Sequence, residues 1–167
     1  KTGNESEAMI YYEMFLSNGF VNLKVTNNLC YLYGKQGAWT QAKEIIEKEN
    51  YQKKFIYAYA YGAVQTNQEN YYNDMSEYVK VDNSGRLSLL TGYYFEKKGD
   101  MQKAGSFYKA AYEKNKTDVY NMFVYARFVD IKENTEALVL YKNILTRIDN
   151  SHALYEIIYK RVVELGG

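Results

Sequence analysis

The chain has 167 residues, 47% of them hydrophobic, enough for one folded domain with a continuous core. Lys and Arg total 21 against 20 Asp and Glu, and this +1 balance gives no bulk electrostatic argument for nucleic acid or an anionic membrane. The single Cys30 and single His152 exclude an intrachain disulfide and a histidine-based zinc site, and no run of 18 apolar residues predicts a membrane span.

Pro is absent, so helix breaks are read from Gly, Asn, Asp and Thr. Asn4-Glu5-Ser6-Glu7 has capping-box spacing and predicts a first flanking helix over 5–17, with its regular part at Ala8–Ser17 and a stop at Asn18-Gly19. A first hairpin follows over 22–50, with helices at Asn22–Lys35 and Ala38–Glu49. Leu29, Leu32 and Tyr33, then Trp39, Ala42, Ile45, Ile46 and Glu49, keep helical spacing. Trp39 reads as a packing ring, and Cys30 as a small buried thiol.

The second hairpin, 52–80, divides into Gln52–Gln65 and Asn67–Val79, with Thr66-Asn67-Gln68-Glu69 read as a capping box. Tyr57–Ala63 alternates rings with small residues and could be mistaken for a strand. Helix is favoured because Ala is a poor strand former. After a turn at Asp82–Gly85, the third hairpin spans 86–115, with Asp100 as a helix cap and Gly99 in the turn. The fourth spans 118–148, capped at Asp118 and Asn134. A last helix over 151–164 starts at Asp149-Asn150-Ser151, stops at Gly166-Gly167, and turns Ala153, Leu154, Ile157, Ile158 and Val162 inward.

Two stretches echo each other: Gly-Lys-Gln-Gly-Ala-Trp-Thr-Gln-Ala at 34–42 and Glu-Lys-Lys-Gly-Asp-Met-Gln-Lys-Ala at 96–104. With Gly92, Phe95, Tyr108 and Ala111, the second resembles the tetratricopeptide repeat family: small residue, aromatic, turn Gly, then Ala, aromatic, Ala. Cys30, Tyr33, Gly37, Ala42 and Ile46 match in the first hairpin. The second and fourth are degenerate; Tyr125 stands where a small residue belongs, and the family's early Trp and closing Pro are missing. The resemblance implies an all-α fold, a right-handed superhelix of helical hairpins whose first helices line a concave face. An unrelated helical bundle is the alternative.

On that reading the inner positions are Lys24, Asn27, Tyr31 and Lys35, then Lys54, Tyr57 and Tyr61, then Arg86, Leu89, Tyr93, Glu96 and Lys97, then Val119, Met122, Ala126, Val129 and Asp130. The expected partner-binding set is Tyr31, Tyr57, Tyr61, Arg86, Tyr93 and Lys97, because rigid rings with polar tips and basic neighbours suit recognition. No phosphate loop, metal-spaced ligand set or nucleophile elbow is present, so no catalysis, cofactor or metal is expected. The expected function is protein–protein interaction, as an adaptor or assembly scaffold holding a peptide or partner helix. Nucleic-acid binding on stacked helices is the alternative. The chain begins at Lys1, as an excised domain or processed product would, and its composition sets no compartment.

Overall fold

The computed structural model describes residues 2–48, 52–131 and 134–167. Among them the protein is all-α, with ten helices and no strand: α1 Thr2–Ser17, α2 Leu23–Gln36, α3 Trp39–Lys48, α4 Gln52–Gln65, α5 Tyr71–Val81, α6 Arg86–Lys97, α7 Met101–Lys114, α8 Val119–Asp130, α9 Asn134–Leu145 and α10 Tyr155–Glu164. Tyr57–Ala63 is helical, as expected. The helices divide into two compact units, residues 1–80 and 81–167.

In the first unit, α2 and α4 run in the same direction and touch through their backbones. A Cβ on Gly34 would lie 2.1 Å from the Tyr59 carbonyl oxygen, and one on Gly62 would lie 2.2 Å from that of Tyr31. Only hydrogen fits at either position. The Lys35 carbonyl then accepts bonds from Thr66 Oγ1 at 3.0 Å and Gln68 Nε2 at 2.5 Å. Tyr31 stacks beside Tyr61 with centroids 5.9 Å apart. α1 runs antiparallel to α2: Glu5 meets Lys35, while Tyr12 meets Asn28. Trp39, in the first turn of α3, packs on Tyr59 of α4 at 4.9 Å and Tyr78 of α5 at 5.6 Å. The core beneath holds Leu29, Cys30, Ala42, Ile46, Phe55, Tyr59, Ala60, Ala63, Tyr71 and Met75. Each large side chain there contributes about 1.5–3 kcal/mol by leaving water.

The second unit contains the antiparallel pairs α6/α7 and α8/α9, with α7 against α8 and α10 against α9. Ala104, Ala111, Ala137 and Tyr108 are buried in these contacts, as the spacing predicts. Asp82 organises the entry to α6: its carboxylate accepts from the Leu87 N–H at 2.9 Å and the Ser84 hydroxyl at 2.8 Å. Asp100 and Asp118 cap α7 and α8 by accepting from the Lys103 and Asn121 N–H groups.

Among the described residues four helices end alike. The N–H of Gly37, Asn67, Gly99 or Gly166, each left-handed, reaches back three residues, and the next N–H reaches back five. This is the Schellman geometry, which uses carbonyls that a helix end would otherwise leave unpaired. It corrects the capping box read at Thr66–Glu69. Thr66 spends its hydroxyl on the Lys35 and Gly62 carbonyls, Asn67 turns the chain at φ 58°, and α5 starts later, at Tyr71. Asn4–Glu7 is likewise no cap but part of α1, whose opening turn is drawn onto α2 by the Glu5–Lys35 ion pair. The last helix also starts late. Asp149 accepts from the Ser151 N–H and hydroxyl, and the Leu154 N–H donates to His152 Nδ1, which fixes a turn up to Tyr155. Ile158 and Val162 face inward, but Ala153 and Ile157 are exposed, because that turn precedes the helix and α10 packs on α9 through one face. Glu49 lies outside the described residues, as does the side chain of Asn134.

The α2–α4 contact predicts the effect of a single methyl group. Ala is the better helix former by about 1 kcal/mol, but overpacking costs about 1–3 kcal/mol and more where the obstacle is backbone. Gly34→Ala and Gly62→Ala should each lower the urea midpoint. A raised midpoint for either would contradict this packing.

Candidate functional site

The register of α2 against α4 builds two adjacent stripes. On α2, Lys24, Asn27, Tyr31 and Lys35 recur at three- and four-residue intervals; on α4, Lys54, Tyr57, Tyr61 and Gln65 do the same. Tyr31 and Tyr61 meet at the centre, with Tyr61 49% exposed and Tyr31 partly buried. Lys35 Nζ lies 5.9 Å from the Tyr31 ring centroid and 2.6 Å from Glu5. Gln65 Nε2 donates to the Tyr61 hydroxyl at 2.6 Å. Tyr57, one turn before Tyr61, is half-buried.

In the second unit, α6 carries Arg86, Tyr93 and Lys97. Tyr93 is 46% exposed, and Lys97 Nζ sits 5.8 Å from its ring centroid. Arg86, two turns earlier, is exposed. The structure thus brings Tyr31 together with Tyr61, and Tyr93 with Lys97. Two expected inner positions are corrected: Met122 and Ala126 are fully buried. α8 contacts α6, α7 and α9, which leaves those positions closed to a partner.

Two polar clusters in this unit each join an acid, a tyrosine and an arginine. Glu96 of α6 accepts from the Tyr108 hydroxyl of α7 and, at 3.0 and 3.1 Å, from Arg127 of α8. Asp130 of α8 accepts from the Tyr141 hydroxyl of α9 and from Arg161 of α10, at 2.7 and 2.9 Å. Each acid stands 31 positions before its arginine (127 − 96 and 161 − 130). A cleft of about 380 Å³ lies between the two clusters, lined by Glu96, Arg127, Phe128, Asp130, Ile131 and Arg161. These pairs were not read from the sequence; the one signal there was the 31-residue spacing of acid to arginine, since the tyrosine follows its acid by 12 residues in one cluster and 11 in the other.

Burial raises the Tyr108 and Tyr141 phenols well above the ordinary range, and their carboxylate neighbours add to it. Arg161 holds the Asp130 carboxyl below its ordinary value, chiefly through its hydrogen bonds, against an opposing push from burial. Burial also pushes the Cys30 thiol up to about 12, which suits a packing thiol and disfavours a nucleophilic thiolate. Among the described residues no group of three or more His, Cys, Asp or Glu could hold a metal ion, and no helix is long and apolar enough to cross a membrane. No protein-family model matches the chain, and no curated protein matches it.

A group whose pKa is depressed by folding stabilises the fold above its unfolded value, about 3.9 for Asp, and that contribution is lost as pH falls through the folded value. Asp130→Asn should therefore cost about 1 kcal/mol at neutral pH, and its deficit relative to wild type should shrink below about pH 4. Urea midpoints across an acid pH series check this. A deficit that stays constant with pH would remove the carboxylate's charge from the explanation.

Proposed function

We propose that the chain is a tetratricopeptide-like array whose activity is non-catalytic recognition of a protein segment, in an adaptor or assembly role. One observation carries the reading. Tyr31, Tyr61 and Tyr93 are each followed four residues later by Lys35, Gln65 or Lys97, which touches the ring or its hydroxyl. Each is followed six residues later by a left-handed Gly37, Asn67 or Gly99 that ends the helix. Tyr61 and Tyr93 keep exposed rings in step with the turn, for which a side chain serving only the core would have no reason. In a curved array such rings line the inner side, where rigid aromatic surface is ordered at low entropic cost. The right-handed superhelix belongs to this proposal and rests on the same recurrence.

Rings beside lysines also favour single-stranded nucleic acid, since every base can stack. Protein recognition is preferred because Lys35 is already paired with Glu5 and the chain is nearly neutral.

Replacing Tyr61 and Tyr93 together by Ala should weaken capture of a partner about tenfold or more, with the helical spectrum and melting midpoint nearly unchanged. The comparison is affinity capture by wild type and variant, followed by titration of the recovered partner. Undiminished binding would mean that these rings are not the contact surface. Recovery of RNA alone, with steep salt dependence, would favour the second reading.

A further inference from the structure

Beyond the recognition reading, and without using its residues, we infer that α10 of one molecule docks against α1 of a second copy of this chain. The contact is head-to-tail and rebuilds the α8/α9 hairpin from two molecules. Two sequence matches point to it. Glu7-Ala8-Met9-Ile10-Tyr11-Tyr12 of α1 repeats the pattern of Glu136-Ala137-Leu138-Val139-Leu140-Tyr141 in α9. Ile157-Ile158-Tyr159-Lys160-Arg161-Val162-Val163-Glu164 of α10 repeats Phe123-Val124-Tyr125-Ala126-Arg127-Phe128-Val129-Asp130 of α8, 34 positions on (157 − 123). Among the described residues, α1 is therefore the second helix of a hairpin without its first, and α10 a first helix without its second.

Exposure follows the same division. Ala137, Tyr141 and Ile144 of α9 are buried, whereas their counterparts Ala8, Tyr12 and Phe15 are half-buried. Leu140 is 5% exposed and its counterpart Tyr11 60%. At the matching place in α7, Phe107 stacks on Phe95 of α6 with centroids 5.6 Å apart, so this side of a second helix meets the first helix of its own hairpin. In α10, Ile158 and Val162 are buried, but Tyr159 is 53% exposed where Tyr125 of α8 is 6% exposed. Ile157 and Val163 beside it are also exposed.

The α8/α9 contact supplies the bonds that the two open faces would exchange. The Tyr125 hydroxyl donates to Glu136 at 2.9 Å, the Tyr141 hydroxyl donates to Asp130 at 3.2 Å, and the Phe123 and Tyr141 rings lie with centroids 6.5 Å apart. Between copies, Tyr159 donates to Glu7, Tyr12 donates to Glu164, and Ile157 packs on the Tyr12 ring. These groups are available. Among the described residues neither the Tyr159 hydroxyl nor the Glu7 carboxylate has a hydrogen-bond partner, and the Tyr12 hydroxyl accepts from Asn28, which leaves its own proton to give. Charge agrees with the pairing: α1 carries Glu5, Glu7 and Glu13 and no basic residue, while Lys160 on the open side of α10 is exposed. α10 departs from α8 at two buried places, with Glu156 for Met122 and Lys160 for Ala126. Charged side chains there make the association reversible, since permanent interfaces are more hydrophobic.

The test is sedimentation equilibrium of the whole chain from about 10 μM to about 1 mM, a range set by the small area of a single helix pair. The weight-average mass should rise above that of the monomer across this range. Tyr11→Arg and Ile157→Arg replace exposed side chains, so each should keep the wild-type helical spectrum and melting midpoint while remaining a monomer. An equimolar mixture of the two variants should associate again as a heterodimer, because each retains one intact face. The variant lacking Tyr61 and Tyr93 should associate as wild type does, which separates this contact from the recognition surface. A wild-type chain that stays monomeric throughout would overturn the inference. Association that survives either single variant would also overturn it, because the contact would then lie elsewhere or join two like faces. A variant mixture that stays monomeric would exclude the head-to-tail pairing.

Discussion

The backbone contact between α2 and α4 governs the first unit. Helices packed through ordinary side chains sit about 8–10 Å apart. Gly34 and Gly62 remove the side chain from each helix at the point where the other's carbonyl arrives. The approach is reciprocal, which fixes distance and register together. From that register follow the alignment of Tyr31 with Tyr61 and the capture of the Lys35 carbonyl by Thr66 and Gln68. Trp39 then closes the other side by packing between Tyr59 and Tyr78. The face with the stacked tyrosines is a consequence of two missing side chains in neighbouring helices.

The second unit solves the same alignment problem with polar groups. Glu96 and Asp130 each collect a tyrosine hydroxyl from the following helix and an arginine from the next helix but one. An acid held by two donors from different helices constrains both. The high tyrosine content has a use here. Tyr108 and Tyr141 bury their rings as core and spend their hydroxyls on carboxylates at the rim, so one residue type serves packing and polar alignment together.

Much of the helical layout was legible in the sequence because its signals are local. The small positions Cys30, Ala42, Ala104 and Ala137 are fully buried, and Asp100 and Asp118 cap their helices. The errors arose where one local motif competed with another. Thr66–Glu69 fits a capping box on paper, but Asn67 is also a residue that tolerates the left-handed conformation, and the Lys35 carbonyl claims the Thr66 hydroxyl. Asp149 could open a helix, but Ser151 and His152 complete a turn around it. Met122 and Ala126 were assigned to an open face from register alone, and register does not reveal that α6, α7 and α9 surround α8. The intimacy of α2 with α4 was hidden for the same reason: an isolated Gly in a helical pattern reads as a weakness until its partner across the interface is known.

Nuclear Overhauser contacts across the α2–α4 interface test this account most directly. The backbone of Gly34 lies against that of Ala63, and the backbone of Gly62 against that of Lys35. The account predicts cross-peaks from the Gly34 Hα protons to the Ala63 amide proton and from the Gly62 Hα protons to the Lys35 amide proton. Their absence, in spectra that resolve the sequential helical contacts of both segments, would contradict the parallel glycine-mediated contact.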